Sequence, residues 1–154
     1  MAAQNTGYQV AAQSVTFSGT QTLASLTDNE WTNLSDAIDN STNKYLMVDV
    51  ELYLASAAFT GTDSTLALYL VPSVDGTNYP NWTGNVTTSE QENEQYYVCS
   101  FTTSGATEAQ RLTQLNILVP PGLYKYGIRN TSGVTLASSG NTLKWRPHSV
   151  EDSA

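Results

Sequence analysis

Hydrophobic and polar residues alternate along most of this chain, and a period of two is the mark of half-buried β-strands. The clearest run is residues 44–54. Leu46, Val48, Val50, Leu52 and Leu54 point one way, and Tyr45, Met47, Asp49, Glu51 and Tyr53 point the other. One face is core; the other is amphipathic and can meet solvent or a partner. Residues 65–71 repeat the pattern with Leu66, Leu68 and Leu70 inward, and Pro72 ends the run, because proline cannot donate to a ladder. Val15 and Phe17 share a face, as do Tyr97, Cys99 and Phe101, and Leu115, Ile117 and Val119. Pro120-Pro121-Gly122 reads as a turn, with proline fixing φ and glycine supplying a positive one. Tyr124, Tyr126 and Ile128 alternate with Lys125 and Arg129 on the returning strand, and Leu143 and Trp145 with Lys144 and Arg146 on the last. About eight strands joined by turn-rich loops predict an all-β fold, an antiparallel β-sandwich of jelly-roll type.

Three regions depart from alternation. Thr27-Asp28-Asn29-Glu30 has the form of a capping box, with Trp31, Leu34 and Ile38 at helical spacing after it. The same residues also suit a strand and loop, and the sequence leaves both open. Residues 1–13 have little periodicity and read as an N-terminal arm, ahead of a sandwich domain at 14–147 and a frayed C-terminal tail at 148–154. Residues 75–95 form a connection long enough to suggest a function of its own. Asp75-Gly76 within it is a turn signal.

Composition narrows the use of such a fold. Of 154 residues only 13% are charged, while Ser, Thr, Asn and Gln make up 57. With 14 acids against 6 bases the net charge is -8. Four of the bases, Lys125, Arg129, Lys144 and Arg146, fall after residue 120, with Lys44 and Arg111 before them. That is no basic stripe for nucleic acid; it suits solubility and a basic protein partner. The longest unbroken apolar stretch, residues 66–71, is far short of the ~20 residues that cross a bilayer. The first residues lack the basic and apolar regions of a signal peptide, so synthesis in the cytoplasm is expected. Asn33, Asn40, Asn81, Asn85 and Asn130 each head an Asn-x-Ser/Thr triplet, read here as a consequence of composition rather than as glycosylation sites.

Catalytic chemistry is sparse. Cys99 is the one cysteine and His148 the one histidine, which leaves no disulfide and no thiolate or imidazole metal cluster. Cys99 reads as a small buried hydrophobe. His148 lies in the expected tail, where a catalytic base would not be held rigidly. Asp36 with Asp39, and Glu90, Glu92 and Glu94, are the remaining groupings. The glutamates read as a solvated acidic loop or a contact for a basic surface rather than as a glycosidase pair. No glycine-rich phosphate loop or EF-hand pattern occurs. The expectation is a protein that is not an enzyme, with no cofactor and no metal. Tyr79, Pro80 and Trp82 in the long connection could anchor an interface or stack on sugars, or fold back over the sandwich as a lid.

Three stretches carry a resemblance. Residues 40–46 (NSTNKYL), 69–80 (YLVPSVDGTNYP) and 118–130 (LVPPGLYKYGIRN) look like parts of small virion proteins of tailed bacteriophages. The chain resembles, over residues 14–147, the jelly-roll capsid decoration, or cement, proteins. The resemblance implies binding to the outer surface of the assembled head, a homotrimer, and the major capsid protein as partner, with no catalytic residues. It implies a virion location, with neither nucleic acid nor membrane as partner. Candidate interface residues are Tyr45, Met47 and Tyr53 on the outer face of one strand, Tyr8 and Val10 in an arm that could order on binding, and Tyr79 and Trp82 in the long loop. The competing expectation is a carbohydrate- or receptor-binding sandwich module of a phage tail, using Trp31, Tyr79 and Trp82.

Overall fold

The computed structural model describes residues 4–8, 10–57, 59, 64–84 and 94–152, with the backbone alone for 4–8 and 149–152. Among them are nine strands: β1 (Gln4–Tyr8), β2 (Gln13–Val15), β3 (Ile38–Asp39), β4 (Met47–Leu54), β5 (Thr65–Pro72), β6 (Tyr97–Thr102), β7 (Gln110–Leu118), β8 (Leu123–Thr131) and β9 (Thr142–Asp152). All pairings are antiparallel. One sheet runs β1-β9-β4-β7 with β2 also on β9, and the other runs β3-β8-β5-β6. β1 and β2 both lie on the side of β9 away from β4, so they act as one interrupted edge strand. Counted so, the fold is an eight-stranded sandwich of two four-stranded sheets with jelly-roll strand order.

The core fills the space between the sheets. β4 contributes Val48, Val50, Leu52 and Leu54, β5 contributes Leu66, Leu68 and Leu70, and β8 contributes Tyr124, Tyr126 and Ile128, with Phe101 and Leu143 from β6 and β9. These are the inward positions that alternation predicts. β4 alternates half-buried and buried without exception. β5 does not, because Ala67, Tyr69 and Val71 on its other face are buried as well.

Residues 29–39 supply part of that second cover, and they form no helix. Glu30 N–H bonds the Thr27 backbone carbonyl, a turn bond, and Thr27 N–H bonds Glu30 Oε2, which is one half of a capping box. The chain then runs extended along the edge of β8. Asn29 and Thr32 N–H groups donate to Asn130 and Ile128 carbonyls, and Ser35 N–H donates to Tyr126 O. In return Ile128 N–H donates to Thr32 Oγ1 and Tyr126 N–H to Ser35 Oγ. Two side-chain hydroxyls thus stand in for backbone carbonyls, which explains why Thr32 and Ser35 are buried and why regular pairing is confined to Ile38 and Asp39. A helix here would leave the edge of β8 unpaired.

Three inward expectations and one turn expectation fail, each for a local reason. Leu115 is exposed because β7 carries a bulge: Val48 faces Ile117 but Val50 faces Gln114. Asn116 in the bulge has φ 58°, and its N–H bonds Asp49 Oδ1 at 2.9 Å instead of the ladder. One inserted residue reverses every side chain beyond it. A second irregularity places Leu68 opposite Cys99 but Tyr69 opposite Tyr97, which sends Tyr97 to the outer face. Leu46 lies one position before β4, beyond the last buried residue Val48, and is exposed at the end of the sandwich. Gly122 turns the chain without a positive φ, whereas Gly76 in the other expected turn has φ 75°.

Described residues of the expected arm and tail pair as strands. β1 pairs with β9 from Gln4↔Asp152 to Tyr8↔His148, and β2 from Gln13↔Trp145. Between these rungs four residues oppose two. Pro147 in the gap has no N–H to give, and Arg146 Nε bonds the Val10 carbonyl there at 3.1 Å. His148 is therefore a buried residue of β9, with Nε2 3.2 Å from Asp49 Oδ1.

Candidate interaction surface

Residues 79–82 of the long connection fold back over the β3-β8-β5-β6 sheet. Trp82 Nε1 donates to Thr32 O at 2.8 Å. Its ring stands edge-on to Trp31 and Tyr69, with centroids 5.2 and 5.6 Å away. Gly127 makes this possible, since a Cβ there would lie 2.3 Å from Trp82 Cζ2. Arg129 stacks 5.0 Å over Trp31 and donates to Glu94 Oε1, while Tyr69 OH donates to Glu94 Oε2 at 2.8 Å. Burial, then Glu94, push the Tyr69 pKa far above its usual value, so the phenol stays a donor. Tyr79 lies under Lys125, whose Nζ is 4.5 Å from its ring. The lid alternative thus describes both loop aromatics. Trp31 is fully buried and offers no face to a sugar.

The outer face of the other sheet is a ladder of opposite charges. Asp49 faces Arg146 and Glu51 faces Lys144 across β4 and β9. Arg111 on β7 binds Glu51 at 2.6 Å and covers Tyr53 at 4.8 Å. Met47 and Tyr53 are half-buried on this face, and Tyr45 is half-buried just before it. Exposed cross-strand pairs of this kind contribute little, about 0–1 kcal/mol each, but they leave the face near neutrality.

The seven sequence-predicted interface residues therefore do not form one patch. Tyr45, Met47 and Tyr53 belong to one sheet, Tyr79 and Trp82 to the opposite one, Val10 is exposed beside Arg146, and Tyr8 pairs with His148 at the root of the β1/β9 ribbon, its side chain outside the described residues. The acidic residues Glu90 and Glu92 also lie outside the described residues.

Exposed apolar surface collects elsewhere. Six large apolar side chains stand out as exposed among the described residues, and four crowd one end of the sandwich: Val74 at 99%, Leu118 at 68%, Leu46 at 51% and Tyr97 at 48%. This is the end where β5 and β7 finish and β4, β6 and β8 begin. A cleft of about 220 Å³ opens there between the sheet edges, with Leu70, Pro72, Tyr97, Val98, Leu118 and Pro120 among its walls. Its rim is rigid. Asn40 is buried, accepts Tyr45 N–H, and donates from Nδ2 to the Tyr45 and Pro120 carbonyls. Asp75 accepts the Thr77 and Asn78 N–H groups and holds the tip next to Val74; those bonds keep its carboxyl well below the usual carboxylate range. Sequence reasoning missed this end because Leu46 and Tyr97 lie in strand patterns that read as inward, and Leu118 and Val74 are single outward residues of a strand and a turn.

Two groups that reactive-site reasoning would test are otherwise engaged. The Cys99 thiol is pushed up to about 11 by burial, which suppresses the thiolate. The amides of Asn33, Asn40 and Asn130 all donate to backbone carbonyls, so three of the five glycosylation-type triplets have their acceptor nitrogen in use. No group of His, Cys, Asp and Glu suited to a metal is found among the described residues, and no helix among them is long and apolar enough to cross a membrane. No protein family, curated protein or solved structure matches the chain.

Proposed function

We propose that this chain is a virion structural protein of a tailed phage that binds the outside of the assembled head and stabilises contacts between major capsid subunits, acting as a homotrimer without cofactor or catalysis. One observation carries the reading. The three stretches that resemble decoration proteins are far apart in sequence, yet all reach the apolar end of the sandwich. Asn40 bonds Pro120, and Ser73 N–H bonds Leu123 O, so the three are tied together there. A clustered apolar patch on an otherwise polar surface is what a protein-docking site needs. Cementing is then linkage: a protein that binds only the expanded shell stabilises that state by mass action.

The test compares heads of the parent phage prepared without the protein, before and after addition of the purified chain. Saturable binding and a higher temperature of head disruption are expected, with a trimer by sedimentation. Heads that neither bind the chain nor gain heat resistance overturn the reading. Binding to host glycans that is lost in Trp82→Ala, without head binding, establishes the tail-module alternative.

A further inference from the structure

The pairing of β9 stops unevenly at the docking end. β4 covers β9 only as far as Met47↔His148, whereas β9 continues to Asp152 with β1 alone beside it. Residues 149–152 therefore have strand pairing on one side only, and β1 has none on its far side, among the described residues. A two-stranded ribbon with both edges unpaired is marginal by itself. Its free N–H and C=O groups form a template for another strand. The root is firmly held. His148 is buried against Asp49, Arg146 grips the Val10 carbonyl, and the apolar Leu46 and Leu118 lie at the same end.

Charge identifies the partner. Residues 4–8 and 149–152 contain Glu151 and Asp152 and no base, in a chain of net charge -8. Pairing the free β9 edges of two copies would bring their acids together on one short ladder, which is unfavourable across a strand pair. A partner edge flanked by lysine or arginine meets no such cost.

We propose that the β1/β9 ribbon docks by strand addition onto an exposed sheet edge of a different protein, one bordered by basic side chains. This rests on the head-binding reading, in which that edge belongs to the major capsid subunit. The apolar end then seats against the same subunit, and the ribbon orders as the ladder extends.

The experiment uses the full chain and heads lacking it. Hydrogen exchange is compared for free and head-bound protein, and binding is measured for Glu151→Lys/Asp152→Lys and, separately, for Thr6→Pro/Val150→Pro. Slowed exchange at residues 4–8 and 149–152 on binding is expected, with at least a tenfold loss of affinity in both variants and a wild-type affinity that falls with added salt. Both variants are expected to keep the sandwich fold in circular dichroism melts. Wild-type binding with unchanged exchange in the ribbon, or with both variants binding normally, overturns the ribbon's role and leaves head binding standing. Failure of the wild-type chain to bind heads overturns the head-binding reading itself. Ribbon protection that appears in the free trimer, without heads, assigns the ribbon to a second copy and overturns the heterologous partner.

Discussion

At the scale of single residues, the outer aromatic cluster depends on one missing methyl group. Trp82 packs where a side chain at Gly127 would be. Gly127→Ala should therefore push the indole off Tyr69 and Thr32 and cost about 1–3 kcal/mol, as forced overpacking does. Urea unfolding measures the loss, and a red-shifted tryptophan emission reports the displaced ring. Tyr69→Phe tests the polar side of the same cluster. It removes the bond to Glu94, an ionised acceptor, and should cost about 1–2 kcal/mol, toward the upper range for a single hydrogen bond. Nothing in the sequence joined Trp31, Tyr69 and Trp82. They lie on three separate segments, and only the piecewise pairing of residues 29–39 along β8 brings the first over the second. The sequence could show that Trp82 was buriable, but not what it would bury against.

At the scale of elements, alternation was legible wherever a strand is regular and failed wherever a residue is inserted. β4 and β8 are read correctly from end to end. In β7 and β6 the inward set is right on one side of the irregularity and reversed on the other, so Leu115 and Tyr97 go outward while Ile117, Cys99 and Phe101 remain with the core. The one local signal for the β7 bulge is Asn116, a residue type that tolerates the left-handed region. Asn116→Ala should cost about 1 kcal/mol, because alanine adopts the left-handed region less readily than asparagine does. Asn116→Gly should stay close to wild type in the same urea titration. Equal losses in both would show that the Asn side chain, not φ, holds the bulge. The 27–39 segment teaches a related lesson: one bond of its capping box forms, but an unpaired strand edge outweighs the helix that usually follows it.

At the scale of the whole molecule, the buried phenols set a pH limit. Burial pushes Tyr124 and Tyr126 well above the usual tyrosine range, and Tyr69 with them. An unfolded tyrosine ionises near pH ~10. The folded chain holds these protons longer, so their contribution to stability is complete below that pH and is lost as pH rises through it. Cys99, raised to about 11, extends the loss to start near its ordinary value of 9.0. Thermal melts from pH 7 to 11 should fall steeply above about 9–10. The Tyr126 hydroxyl has no hydrogen-bond partner among the described residues, so Tyr126→Phe should cost little at pH 7 and flatten the alkaline fall. An unchanged alkaline slope would remove Tyr126 from the account.

The proposed function belongs to the same scale. Composition pointed to a polar, weakly charged surface, and the fold places four of the six exposed large apolar side chains of the described residues at one end, next to a ribbon with unpaired edges. That arrangement suits a protein that docks end-on in many copies. The copy number in purified virions tests this most directly. Quantitative mass spectrometry against the major capsid protein should give a stoichiometry near one chain per capsid subunit. A few copies per particle, or none, would contradict a role in cementing the shell.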